Sequence, residues 1–395
     1  MGKTLQEHFP SLIRTREEVK KEIEGSIRLR NIYYSWEEER QEEFLDFCSG
    51  VKGVNVLYDF ISKAVLDPEA TPERLNDLLS VLLNQKVKIK AVLPLEGGHI
   101  ADERTLIVMD LLVELEDGRL ADFEIQKIGY KFPGERAACY ASDLLLRQYK
   151  RIRGKSKQKI FKYSKIKDVY AIILFERSTK EFNEFPDVYI HRFKQKSDSG
   201  IELKLLQNFI FIPLDIYQKN QQNKRKNNQK LIENRLDAWL NFFGSNDPEV
   251  IAEICEKYPD FKEMYHEIYV ICRNLEDVMT WFSEELMQMD INTEKLMFDE
   301  MQEELDQKRE ELNQKREELD QKNKELYQAK KTIENAQLIA MVKLAIKKIK
   351  RGYSTEQIAE ILEEDPAIIQ SICEIAEKYQ PGYDTEKICA ELLQK

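Results

Sequence analysis

The sequence has no long apolar run. With no stretch of about 18 apolar residues, a membrane-spanning helix is not expected. The residues after Met1 also lack the apolar core of a secretory signal, so no signal peptide is expected. The six cysteines (Cys48, Cys139, Cys255, Cys272, Cys373 and Cys389) are scattered without CxxC spacing. That excludes a zinc ribbon and argues for reduced thiols in a cytoplasm over a disulfide frame. The four histidines (His8, His99, His191 and His266) are too few and too dispersed for a His-based metal centre. Positive charge is not in excess: the net charge is −11, so the chain as a whole is no basic nucleic-acid binder, and any such binding must rest on a local patch.

What is present centres on residues 105–127, TLIVMDLLVELEDGRLADFEIQK. The odd positions Ile107, Met109, Leu111, Val113, Leu115, Ala121, Phe123 and Ile125 are apolar. The even positions Asp110, Leu112, Glu114, Asp122, Glu124 and Gln126 are mostly polar. Alternation with period two predicts two β-strands with one buried and one wet face. Residues facing one another across an antiparallel pair share a face, so odd must meet odd. A two-residue loop at Asp117-Gly118 violates this; a three-residue loop, Glu116 to Gly118 with Gly118 left-handed, satisfies it. In that register Asp110 lies opposite Glu124, with Gln126 two residues on along the same face. Like charges set opposite one another repel, and a divalent cation offsets that repulsion. Mg²⁺, or Mn²⁺, takes such oxygen ligands together with phosphate and water.

At 395 residues the chain has room for two or three domains. Residues 1–40 form a charged helical segment and 41–218 an α/β core. Within the core, 54–66 read as an amphipathic helix carrying Asp59, and Thr71 as the cap of a helix with Pro72 in its first turn. A short strand (VKIKAVLP) and a Gly97-Gly98 turn precede the hairpin. After it, ERAACYASDLLLRQYKR reads as a helix with a small-residue stripe (Ala137, Ala138, Ala141, Leu144, Leu145) and with Arg136, Tyr140 and Arg147 on an adjoining face. From Arg147 to Lys167 there are ten Lys or Arg, Lys150, Arg151 and Arg153 among them, no acid, and interleaved Phe161 and Tyr163. Such a stretch can track a DNA backbone, a solvated loop being the alternative. VYAIILFER is a central strand, and PDVYIHRF and KLLQNFIFIPLDIY are two more. QKNQQNKRKNNQK is a polar loop or linker.

Residues 231–295 are a helical extension, with Trp239, Phe242, Phe243, Trp281 and Phe282 as core anchors. In 296–336, Leu305, Leu312, Leu319, Leu326 and Ile333 repeat every seven residues, while the companion seam position holds Arg309, Arg316, Asn323 and Lys330. This is a weak coiled coil, through which the chain can form a homo-oligomer, or a lone charged helix. In 337–395 the unit GYSTEQIAEIL recurs as GYDTEKICAEL, and with DPAIIQSI it has the rhythm of a helix-turn-helix. Its second helix is acidic, which suits protein contact better than base reading.

YDFISKAVLDPEATPERLNDLLSVLL, LIVMDLLVELEDGRLADFEIQK, FPGERAACYASDLLLRQYKR, VYAIILFE and FIPLDIY together resemble the bacterial PD-(D/E)XK nuclease family transposases, relatives of recombination-promoting nucleases. The likeness runs from about residue 41 to 302. It implies an α/β fold, a restriction-endonuclease-like mixed sheet flanked by helices, in the 41–218 core. It also implies a Mg²⁺-dependent deoxyribonuclease (an endonuclease acting on phosphodiester bonds). By the resemblance Asp110 and Glu124 hold metal, Asp59 is the acid of the first core helix, and Gln126 takes the place usually held by Lys, where its amide can orient the attacking water. Met109 stands where the motif's name has Pro. Arg136, Tyr140, Arg147, Lys150, Arg151 and Arg153 are the expected DNA contacts. The alternative, motivated by Gln126 and the long tail, is a catalytically inactive DNA-binding or scaffold protein that keeps the nuclease fold.

Overall fold

The computed structural model describes residues 5–93, 107–128, 133–155 and 161–393. The expected Gly97-Gly98 turn lies outside the described residues. Four helices open the chain: α1 (Leu5–His8), α2 (Arg16–Gly25), α3 (Ile27–Ser35) and α4 (Glu38–Cys48). Thr15 and Glu18 close a reciprocal capping box on α2. The amphipathic helix expected over 54–66 is shorter: α5 runs Asp59–Val65, so Asp59 opens the helix instead of riding on its side. Thr71 stands at the N-cap of α6 (Pro72–Leu82) but makes no side-chain cap; its hydroxyl donates to the Asp67 carbonyl instead, at 3.2 Å.

Six strands follow: β1 (Ile89–Val92), β2 (Ile107–Leu115), β3 (Leu120–Ile128), β4 (Val169–Arg177), β5 (His191–Phe193) and β6 (Gln207–Pro213), in the spatial order β1-β2-β3-β4-β6-β5. β3 runs parallel to β4, and β4 parallel to β6; the other pairs are antiparallel. The apolar strand β4 is therefore central, as its composition requires. The β3–β4 crossover is α7 (Pro133–Lys155). Ala137 and Ala141 bring it close to the sheet, where they pack with Ala171, Ile173 and Phe175.

From Met109 to Glu114 the β2–β3 register is the one that parity dictates, with Asp110 paired with Glu124, Leu111 with Phe123 and Val113 with Ala121; an irregularity before Met109 sets Ile107 against Gln126. Leu115 N–H donates to Arg119 O and Gly118 N–H to Leu115 O, both at 2.9 Å, closing the loop Glu116 to Gly118. The expectation of a wet even face is corrected. Glu114, Asp122, Glu124 and Gln126 are all buried. A parallel crossover lays its helix over the sheet, so both faces are covered. The odd residues Phe123 and Ile125 join the main core with Ile61, Leu75, Trp239 and Phe282.

The polar stretch expected to be a loop is mostly helix. After a short helix α8 (Lys180–Asn183), α9 (Leu214–Lys226) continues from the end of β6, burying Leu214, Ile216, Tyr217 and Gln221 and leaving Lys219, Arg225 and Lys226 exposed. Then come α10 (Arg235–Gly244), α11 (Pro248–Lys257), α12 (Pro259–Ile271) and α13 (Leu275–Ile349). Trp239, Phe242, Phe243 and Phe282 are buried anchors. Trp281 is not; it lies partly exposed, stacked on Phe60 at 5.6 Å.

The chain divides into two compact units, 1–295 and 296–395. The second has its own core, in which Val342, Ala345 and Ile346 of α13 meet α14 (Thr355–Leu362), α15 (Pro366–Glu377) and α16 (Thr385–Leu392). The sequence repeat maps onto α14 and α16, with Ile358 and Ile388 at equivalent, fully buried positions.

Gly118 has φ +86°, and a Cβ added there meets nothing nearer than Lys167 Cγ at 3.9 Å. Gly118→Ala should therefore cost about 1 kcal/mol from backbone strain alone, read as a lower denaturant midpoint at unchanged m-value. A neutral substitution would show that the loop does not depend on the left-handed conformation.

Candidate active site

The hairpin, α7 and the strand ends of the parallel pair build two clusters on opposite faces of the sheet. On the α7 face, Glu124 and Gln126 stand two residues apart on β3, both almost fully buried, and Gln126 Nε2 donates to Glu124 Oε2 at 2.6 Å. Asp110 is the cross-strand partner of Glu124; its side chain lies outside the described residues. Glu114, further along the same face, is buried between two cations. Lys90 Nζ lies 3.3 Å from it, and Arg151 reaches down from α7 to pair with it. Burial pushes the Glu114 carboxyl up, but the Arg151 and Lys90 contacts outweigh that and hold it below the ordinary carboxylate range.

Asp59 does not join this group. Its helix packs on the odd face, among Phe123 and Ile125, and its carboxylate pairs with Lys63 one turn on, at 2.7 Å. There the structure brings together residues that sequence reasoning missed. Lys127 pairs with the buried Glu285 of α13, whose other oxygen accepts from the Asp59 backbone N–H at 3.1 Å. Glu176 faces the same cavity of about 60 Å³, which Tyr58, Asn292 and Thr293 also line. Burial lowers the Lys127 ammonium from its ordinary range against the pull of Glu176 and Asp59. Burial likewise raises the Glu176 carboxyl against Lys127 and Arg177. The available signal was Glu176 itself, an acid in an otherwise apolar central strand.

The expected DNA contacts split. Arg136 donates through Nε to Tyr140 Oη at 2.9 Å, with its guanidinium over the ring. Arg147 pairs with Asp143 at 2.6 Å. Arg151 is drawn to Glu114 and away from solvent, a correction to its expected place on an outer basic face. Lys150 and Arg153 are exposed.

With the geometry in place, a comparison with known families is decisive. Residues 56–297, more than half of the chain, match the family model for PD-(D/E)XK nuclease family transposase. The chain belongs to this family. No curated protein and no solved structure matches significantly. Membership supports a nuclease or transposase-associated role with DNA as substrate, and such nucleases generally use divalent metal ions. Among the described residues no three or more His, Cys, Asp or Glu gather to hold a metal, and no helix is long and apolar enough to cross a membrane. In this family member, Glu124 and the neighbouring Gln126 amide present oxygen atoms side by side on β3. Such oxygens fit a hard cation such as Mg²⁺, which is commonly held by one or two carboxylates.

Glu114→Gln tests the buried pair. A carboxyl whose folded pKa is depressed stabilises above its unfolded value, near 4.5, and that stabilisation is lost as pH falls through the folded value. The variant should lose about 1–3 kcal/mol at pH 7, with the gap to wild type closing as pH falls below the unfolded value. A gap that persists unchanged at low pH would point to packing and not charge.

Proposed function

We propose that the protein is a divalent-metal-dependent DNA endonuclease that hydrolyses phosphodiester bonds, with Asp110 and Glu124 holding Mg²⁺ or Mn²⁺. What carries this reading is the hydrogen bond from Gln126 to Glu124 directly beside the register pair Asp110–Glu124. It sets two polar positions of the motif side by side on β3, and the third, Asp110, is opposite Glu124 in the backbone register. The bound ion supplies Lewis acidity toward a phosphodiester oxygen and a water of lowered pKa. Glu124 is held in place by the amide donor and by burial. Gln126 has an acceptor oxygen besides that donor, and its role is to orient the nucleophilic water. A neutral amide does not supply the charge that a lysine brings, so Gln126 acts in positioning and not in neutralising the transition state. Asp59 is left out of the ligand set, because its partners lie on the other face of the sheet.

Nicking of supercoiled plasmid should require Mg²⁺ or Mn²⁺, vanish in EDTA, and be abolished by Asp110→Ala and by Glu124→Ala while thermal unfolding is preserved. Gln126→Ala should lower the rate by about 10²-fold. Undiminished nicking by Asp110→Ala would sink the assignment. Metal-independent binding with no cleavage in either ion would support the scaffold alternative.

A second proposal concerns self-association. Leu305, Leu312, Leu319, Leu326 and Ile333 are exposed along α13, and a matching stripe on a second copy suits them. Light scattering should give a multiple of the chain mass for the full chain and a monomer for a chain ending at 295. A monomeric full chain would rule the seam out as an assembly surface.

A further inference from the structure

The basic stretch after the hairpin is more than a row of cations. On the last turns of α7, Tyr149 packs edge-on against Phe161 at 5.2 Å and stacks nearly parallel to Tyr163 at 6.3 Å; Phe161 and Tyr163 meet edge-on at 5.0 Å. Arg153 closes one side, its guanidinium 5.6 Å over the Tyr149 ring and its Nη1 donating to the Tyr149 hydroxyl at 2.5 Å. Tyr163 is 74% exposed, the most exposed large hydrophobic residue of the described chain. Lys150, Lys162 and Lys165 are exposed around it. No Asp or Glu occurs between residues 147 and 167, in a chain whose net charge is −11.

An aromatic cluster made only to pin down a connection hides its rings. This one holds a ring up in water on two supporting rings, in a stretch of exposed cations. Solvent-facing aromatics among cations are the elements of a platform for single strands: each base has a π-face to stack, and each phosphate meets a cation. A duplex hides its base faces and can use only the cations.

We propose that Tyr163, supported by Tyr149 and Phe161 and flanked by Lys150, Arg153, Lys162 and Lys165, is a stacking site for an unpaired DNA strand. The inference rests on the nuclease reading for the choice of DNA, and it deepens that reading.

The test is binding of a fluorescent single-stranded oligonucleotide and of its duplex to the full chain in EDTA, where cleavage cannot contribute. The single strand is expected to bind more tightly. Tyr163→Ala should weaken single-strand binding about tenfold while leaving duplex binding within twofold, and Tyr163→Phe should retain it. Lys162→Ala should weaken both substrates and flatten the salt dependence. Because Tyr163 is exposed, its substitution should leave the thermal unfolding midpoint unchanged, which is checked in parallel. Equal binding of single strand and duplex, or single-strand binding unmoved by Tyr163→Ala, overturns the proposal. A protein that shows the single-strand preference in EDTA yet never nicks in Mg²⁺ or Mn²⁺ keeps this inference and loses the catalytic one.

Discussion

A β-strand sends successive side chains to opposite faces, and β3 uses that alternation to separate two kinds of chemistry one residue apart. Glu124 and Gln126 enter the layer beneath α7, while Lys127 enters the layer shared by α5 and α13. A one-residue slip against β2 would carry Glu124 among Ile61 and Phe282 and bring Phe123 under α7. The hairpin loop prevents that slip. Its three residues fix an even sum between partners, and Gly118 supplies the left-handed backbone that the loop needs. Whatever the motif residues do, they do it because this register holds.

Burying charge on both faces of a sheet is expensive unless each charge finds a partner. The fold answers with specific local pairs. Glu114 takes Arg151 and Lys90, Glu124 takes the Gln126 amide, and Lys127 takes Glu285. Glu285 does a further structural job, since it also accepts from the Asp59 backbone N–H. One carboxylate on α13 therefore ties the C-terminal half of β3 to the first turn of α5. Removing it would leave Lys127 buried beside an N-terminal N–H, with only Glu176 and the more distant Asp59 to answer its charge.

Much of this was legible in the sequence, for reasons tied to particular residues. The alternation of Ile107 through Leu115 and Leu120 through Gln126 carried the strands, the loop length and the register, because parity is a property of the backbone. The apolar run 169–177 placed β4 at the centre. What failed to be legible was anything that a neighbour decides. Polar even positions read as wet until a crossover helix covers them. Residues 218–226 read as a linker because their composition hides an amphipathic turn anchored by Tyr217 and Gln221. Asp59 looked like a partner for Glu124 because sequence does not say which face of the sheet α5 covers. Glu285, some 160 residues from Lys127, carried no local sign of its target.

The basic residues of α7 show how helical phase resolves such ambiguity once the covered face is known. Residues three or four apart lie on one side of a helix, and those two apart lie on nearly opposite sides. Arg147 and Arg151 sit one turn apart on the flank nearest the sheet, along with buried Leu144 and Gln148, whose amide holds the Gly118 carbonyl at 2.5 Å. Arg151 uses its charge inward, on Glu114, while Arg147 pairs along the helix with the exposed Asp143. Arg153, two residues past Arg151, falls on the opposite side, and both it and Lys150 keep their charge for solvent. The run of cations is thus divided: Arg151 neutralises a carboxylate of the sheet, Arg147 one of its own helix, and Lys150 and Arg153, the latter over the Tyr149 ring, face any polyanion approaching from solvent.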